Sequence, residues 1–239
     1  AARVPGGDVT TAEARPFDAG AVPGFEPRDL YRDDRIRRSI YTDPAVFEAE
    51  MERIFATTWL YVGHESEIDE PGDYRTTFMG RQPVIVSRDE NGTLHVMLNR
   101  CTHRAATVCQ YASGNSSFFR CDYHGWTFRN DGTLIGQTFG SGYDPRDGDR
   151  AEFNLVALPR VATYRGLIFA SMAPDGPSLE EHLGNAKEFI DLFMDLSPVG
   201  EIEVGAGTHR YTYAANWKLQ SENGVDGYHP NFVHQGFLS

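Results

Sequence analysis

Lysine is almost absent from this chain: only Lys187 and Lys218 among 239 residues. With 22 Lys and Arg against 34 Asp and Glu, the formal net charge is −12. That balance argues against a nucleic-acid partner, whose phosphates need basic side chains. The one Arg-rich stretch, Arg28 to Arg38, is interleaved with Asp29, Asp33 and Asp34 and reads as a solvated, self-paired face. No apolar run approaches the roughly 20 residues that a membrane-spanning helix needs, and none has the shape of a signal-peptide core. Cysteine is scarce too: Cys101, Cys109 and Cys121. An odd, low count without a leader predicts a reducing compartment, by default the cytoplasm, where cysteines bind metal more often than they form disulfides. What is present is ordinary globular composition, 40% hydrophobic and 23% charged, with 24 Gly and 13 Pro marking many turns. At roughly 100 to 200 residues per domain, the length allows one large domain or two smaller ones.

Three sections follow one another along the chain. Residues 1–41 form an arm, polar and rich in Gly and Pro at its start and without an opening Met. Thr42-Asp43-Pro44 predicts a helix start, with Asp43 as cap and Pro44 at the first helical position. Phe47, Met51, Ile54 and Phe55 then recur at helical spacing as one buried face. From Trp59 to Met172 the pattern is short and β-like. Candidate strands are Trp59–Val62, Tyr74–Phe78, Pro83–Ser87, Leu94–Leu98, Phe118–Arg120, Thr127–Phe128, Thr133–Ile135 and Leu167–Ala170. Turn signals such as Asn91-Gly92 and Asn130-Asp131-Gly132 separate several of them, which suggests an antiparallel sandwich or small barrel. Helical pattern returns at Ser178, which opens a capping box with Glu181. Leu183, Phe189, Ile190, Leu192, Phe193 and Leu196 supply its apolar positions. A strand over roughly Gly205 to Tyr213 leads to a second helix near Asn216. The division is thus an arm (1–41), a β domain with a leading helix (42–172) and an incomplete α+β domain (173–239).

Two boxes in the β section carry metal-ligand chemistry. Cys101-Thr102-His103 is followed, after 17 residues, by Cys121-Asp122-Tyr123-His124. Each box adjoins a predicted strand end, so two loops offer one thiolate and one imidazole apiece to a shared centre. Thiolates favour iron or zinc, and imidazoles tolerate both. A structural zinc site is the rival reading, although finger-type zinc sites pair Cys with Cys and His with His. Isolated Cys and His residues are usually core or surface residues, but four of them in two mixed pairs are not isolated.

The order C-x-H…C-x-x-H resembles the Rieske [2Fe–2S] motif. That resemblance implies both cysteines on one iron and both histidines on the other. Arg104 after the first box and Gly125-Trp126 after the second agree with it. Gly125 would allow close backbone approach, and Trp126 would exclude water. Ala105 and Asp122 depart from the Gly and Pro common at these places. Respiratory-type members carry two further cysteines as a disulfide, whereas the only spare thiol here is Cys109, expected to be buried. A ferredoxin or oxygenase type is favoured.

A second group lies between Asn216 and His234. On a continuous helix, Glu222, Asp226 and His229 fall at i, i+4 and i+7, one face. Pro230 disturbs the helix, so His234 can swing in from the following turn. Two imidazoles and a carboxylate leave open positions on iron(II) for dioxygen. Alone, the pattern also fits a polar helix face.

Together the two groups resemble the α subunit of Rieske non-haem iron, aromatic-ring-hydroxylating oxygenases, down to Asn216-Trp217-Lys218. The resemblance implies an α+β fold: an antiparallel β Rieske domain, then the start of a helix-grip-like catalytic domain. It implies a [2Fe–2S] cluster on Cys101, His103, Cys121 and His124, and a mononuclear Fe(II) on His229 and His234. Asp226 would bridge an iron-ligating histidine to the cluster of a neighbouring subunit. Glu222 would support the ligands, Asn223 would face the substrate, and a third iron ligand, an Asp, is expected beyond residue 239. The implied partners are an aromatic substrate and O2, a reductase, a ferredoxin in some systems, and further copies in a trimer with or without β subunits. The implied function is the terminal oxygenase of an NAD(P)H-dependent multicomponent system, yielding a dihydrodiol or hydroxylated product. The alternatives are a Rieske electron carrier without oxygenase activity and a zinc-stabilised domain.

Overall fold

The computed structural model describes residues 26–142, 150–205, 209 and 211–238. Most of the expected arm lies outside them. From Pro27 onward a 3-10 turn, the hairpin β1 (Tyr31–Arg32) and β2 (Arg35–Ile36), and helix α1 (Ser39–Thr42) stand where an arm was expected. Arg35 pairs with Asp34 in full solvent, as the interleaved charges suggest.

The next helix, α2 (Pro44–Glu50), starts where the sequence places it. Asp43 Oδ1 accepts from the Ala45 N–H at 2.9 Å, and Pro44 sits at the first helical position. After Glu50 the helix widens into a π turn, Met51–Phe55. The wider turn breaks the 3.6-residue stripe. Val46, Ala49 and Glu50 are buried, Phe47, Met51 and Phe55 half-buried, and Ile54 is exposed, so the expected four-residue face is corrected.

Ten strands follow: β3 (Leu60–His64), β4 (Asp73–Met79), β5 (Gln82–Arg88), β6 (Leu94–Leu98), β7 (Ser113–Asn115), β8 (Phe118–Arg120), β9 (Thr127–Arg129), β10 (Leu134–Gly136), β11 (Arg160–Tyr164) and β12 (Leu167–Ser171). They form three antiparallel sheets, ordered β6-β5-β4-β7, β11-β12-β3 and β10-β9-β8. The four-stranded sheet is the middle layer, because β5 is buried on both faces. Val84 and Val86 join Val62, Ile68, Val96, Ile168 and Ala170 on one side. Ile85 joins Met97, Trp126, Phe128 and all three cysteines on the other. Each such fully buried aliphatic side chain stabilises the fold by about 1.5–3 kcal/mol. The cysteine loops are therefore rooted in a core.

The chain then turns helical, with α3 (Leu179–Leu183), α4 (Ala186–Met194), α5 (Trp217–Val225), α6 (Pro230–Val233) and α7 (Gln235–Leu238). Ser178 and Glu181 close the expected capping box: the Glu181 N–H donates to Ser178 Oγ, and the Ser178 N–H to Glu181 Oε2. The apolar face expected around α4 is not covered. Met194 is buried, whereas Phe189, Leu192, Phe193 and Leu196 are exposed. The strand expected over Gly205 to Tyr213 lies partly outside the described residues, and the described ones there are in no strand. The class is α+β. Among the described residues no helix is long and apolar enough to cross a membrane.

Candidate metal centres

The two Cys/His boxes fold into the same turn twice. The Cys101 carbonyl accepts from the Ala105 N–H at 2.7 Å, and the Cys101 N–H donates to the Ala106 carbonyl at 2.8 Å. In the second box, the Cys121 carbonyl accepts from the Gly125 N–H and the Cys121 N–H donates to the Trp126 carbonyl, both at 2.8 Å. Ala105 and Gly125 both have positive φ, 57° and 71°. A Cβ on Gly125 would lie 2.7 Å from Thr138 Oγ1, and that hydroxyl itself donates to the His124 carbonyl. The second loop thus has no room for a side chain at this position.

This paired geometry places like donors together. The Cys101 and Cys121 thiols are both buried and pack in the same core cluster. Burial pushes the Cys101 thiol above its usual range; the Cys121 thiol adds to this, while the His103 and Arg104 N–H groups aimed at the sulfur oppose it. The His103 and His124 rings stand 4.6 Å apart at 72°. Trp126, almost fully buried, stacks on His103 at 4.8 Å and 8°. Desolvation, then the neighbouring His124 and Arg104, hold His103 below the usual histidine range, which keeps it neutral with a free lone pair. An open cleft of about 630 Å³ lies over the imidazoles, edged by the exposed Tyr123 and Phe139.

Two buried or half-buried polar residues to which the sequence reading gave no role, Asn99 and Thr102, hold the first of these loops. Asn99 Oδ1 accepts from the Val108 and Cys109 N–H groups, and its Nδ2 donates to the Cys109 carbonyl. Thr102 Oγ1 donates to the Phe153 carbonyl, tying the first box down at 2.6 Å. Buried Asn130 donates to the Arg88 and Ser116 carbonyls, while its own carbonyl accepts from Ser87 Oγ. A buried Asn at the end of an apolar strand was the available signal at Asn99. Cys109 is a buried free thiol, as expected.

The second group takes a different shape from the expected helix face. α5 stops at Val225, and Asp226 caps it in extended conformation at φ −78°, ψ 114°. Asp226 Oδ1 accepts from the Tyr228 N–H at 2.8 Å, a local turn that competes with helix continuation. Glu222, Asp226 and His229 therefore do not share a helix face. Glu222 is exposed and accepts from the Tyr41 hydroxyl, and Asn223 is exposed on α5. Asp226 and His229 do meet, through the turn: Asp226 Oδ2 lies 3.1 Å from His229 Nδ1. Pro230 opens α6 and His234 closes it, so the His229 and His234 rings come within 5.3 Å. The Tyr228 N–H, followed by the His229 contact, holds the Asp226 carboxyl below its usual range. An ionised Asp226 only accepts, so a proton of His229 sits on Nδ1, and Nε2 is the nitrogen left to face a metal.

Residues 58–140 match the family model described as the Rieske [2Fe-2S] domain. Over 230 residues the chain is 46% identical to the anthranilate 1,2-dioxygenase large subunit of Acinetobacter baylyi, covering 95% of this chain and 48% of that protein. It is 43% identical over 207 residues to the toluate 1,2-dioxygenase α subunit of Pseudomonas putida, covering 86% and 45%. A crystal structure of naphthalene 1,2-dioxygenase from Rhodococcus sp. bound to indole superposes with a TM-score of 0.79 at 39% identity, covering 88% of this chain and 48% of that one. The chain carries a Rieske [2Fe-2S] domain and is similar along most of its length to dioxygenase α subunits. It spans about half the length of the curated relatives it matches.

The residues present fit the cofactor of a Rieske domain. His103 Nδ1 is buried without a hydrogen-bond partner, the state of a nitrogen that gives its lone pair to a metal. Among the described residues no three His, Cys, Asp or Glu side chains converge on one point. The donors stand instead as a thiol pair and an imidazole pair. A single tetrahedral zinc takes four donors at one point, whereas a two-iron Rieske cluster takes one pair on each iron.

Proposed function

We propose that this chain provides the Rieske site and part of the mononuclear iron site of an aromatic-ring dioxygenase. Cys101 and Cys121 would hold one iron of the cluster, and His103 and His124 the other. His229 and His234 would hold the mononuclear iron(II). When bound, the two groups supply one-electron transfer and activation of dioxygen. The same reading divides the chain into an arm (1–41), a cluster domain (42–172) and a portion of the iron domain (173–239).

This chain's own residues prepare both sites. Burial of Cys101 and Cys121 keeps water from the thiolate side, and Trp126 covers one face of His103. Asp226 holds the Nδ1 proton of His229 and orients the ring with Nε2 free. In the proposed assembly, a trimer with or without β subunits, Asp226 also faces the imidazole side of a neighbouring cluster. The exposed cleft over His103 and His124 is consistent with such a neighbour. Electrons would come from NAD(P)H through a reductase, in some systems with a ferredoxin, and the three free cysteines accord with a cytoplasmic setting.

The observation that carries the reading is the placing of the two thiols in one buried core and of the two imidazoles side by side, 4.6 Å apart. For substrate we infer an aromatic carboxylate, since the two relatives described above are named for anthranilate and toluate, both of that class. In the test, the oxygenase component carrying this chain receives NADH, a reductase, O2 and benzoate. Oxygen uptake matched by a cis-dihydrodiol is expected. A cluster that is reduced and reoxidised without product would support the electron-carrier alternative instead.

A further inference from the structure

Residues 216–238 carry Asp226, His229 and His234, and their attachment to the rest of the chain is narrow. Among the described residues, every hydrogen bond, ion pair and ring contact leaving this segment ends on Tyr41, Glu50 or Phe55. Glu50 is the centre of the set. Its side chain is about one-tenth exposed, as is that of Lys218 with which it pairs. Glu50 Oε1 accepts from Lys218 Nζ, and Oε2 accepts from Trp217 Nε1 at 2.9 Å. Phe55 meets the Trp217 ring edge-on at 5.1 Å. The Tyr41 carbonyl accepts from Asn216 Nδ2, and its hydroxyl donates to Glu222. These contacts grip α5 from its cap into its second turn.

The same N-terminal helical element also rests on the β4–β5 turn. Glu48 pairs with Arg81, whose guanidinium stands 5.7 Å over the Phe47 ring. Met51 and Phe55 press on Gly80, leaving a Cβ there only 3.1 Å from Phe55. Residues 44–55 are thus a wedge between the β4–β5 turn and α5. Glu50 occupies a buried position beside Val46 and Ala49, where a carboxylate is costly without a partner. A docking of α5 that covers Glu50 without Lys218 leaves the carboxylate buried and unpaired, so the pair favours one register.

We propose that Glu50 is a positioning residue for the iron-ligand segment. Through Lys218 and Trp217 it sets the place of α5, and with it Asp226, His229 and His234, relative to the cluster-bearing sheets. The functional part of this rests on the reading of His229 and His234 as iron ligands; the clamp itself does not.

The test uses the full chain with its cluster and reads three things: the cluster's visible spectrum, ferrous-ion affinity, and amide exchange over residues 217–225. Glu50→Ala is expected to keep the spectrum, speed that exchange about tenfold or more, and weaken ferrous binding about tenfold or more, since breaking a buried pair leaves one charge stranded. Glu50→Gln combined with Lys218→Met removes both charges and keeps an acceptor for Trp217, so it is expected to restore both readouts. Unchanged exchange and affinity in Glu50→Ala would overturn the proposal. Loss of the cluster together with the iron would overturn it too, by showing a role in the whole fold. If the wild-type oxygenase component carrying this chain binds no ferrous ion, the ligand reading fails, and amide exchange alone decides for or against the clamp.

Discussion

Ala105 and Gly125 occupy the same place in the two cysteine turns, each donating its N–H to the carbonyl of the cysteine four residues earlier. Both adopt the left-handed region, yet only one is glycine. A Cβ in that region crowds the backbone and costs roughly 1–2 kcal/mol. Ala105 is exposed, so its strain is backbone strain and not a packing clash. Ala105→Gly is expected to raise stability by about 1 kcal/mol, less the greater freedom that glycine has in the unfolded chain. Urea unfolding of the apoprotein checks this; an unchanged or lower midpoint at equal slope would show that the turn does not strain Ala105.

At the scale of elements, the β11–β12 hairpin shows how one local turn fixes several neighbours. Its two-residue loop, Arg165-Gly166, has positive φ at both positions, 50° and 78°, as a tight antiparallel connection requires. The strained Arg165 is held by ion pairs to Asp191 and Asp195, which tie the hairpin to α4 and the residues after it. A Cβ on Gly166 would fall 2.4 Å from Nε2 of buried His64. Gly166→Ala combines a left-handed Ala with this overlap and is expected to cost about 2 kcal/mol or more, read as a lowered thermal midpoint. A cost near zero would mean that His64 moves aside freely. Not every strand was legible in the sequence. Strand β5 was, because a run buried on both faces reads as continuously apolar. Strand β7 was not, since Ser113–Asn115 is an exposed edge whose only cause is its partner β4. The helix face through Glu222, Asp226 and His229 was misread because periodicity assumes that the helix continues. The Asx-type turn at Asp226, with Gly224 and Gly227 on either side, stops it. Glu50 carried no signal of its own, as its partner Lys218 lies 168 residues away.

Across the whole molecule, the ligand types stood out in the sequence because few other uses exist for two mixed Cys/His boxes. Their arrangement came only from the fold, which stacks three sheets, roots both cysteine turns in one core, and hangs the His229–His234 segment on the N-terminal helical wedge. The fold buries both thiols in one core and sets the two imidazoles side by side, an arrangement that fits a two-iron cluster better than a single zinc. The most direct test is the iron, zinc and acid-labile sulfide content per chain of anaerobically purified protein, with visible spectra before and after dithionite. About two irons and two sulfides with a reducible band are predicted, plus a further iron that His229→Ala removes while the band remains. Zinc without sulfide, and a colourless protein, would contradict the Rieske assignment and leave a structural metal domain.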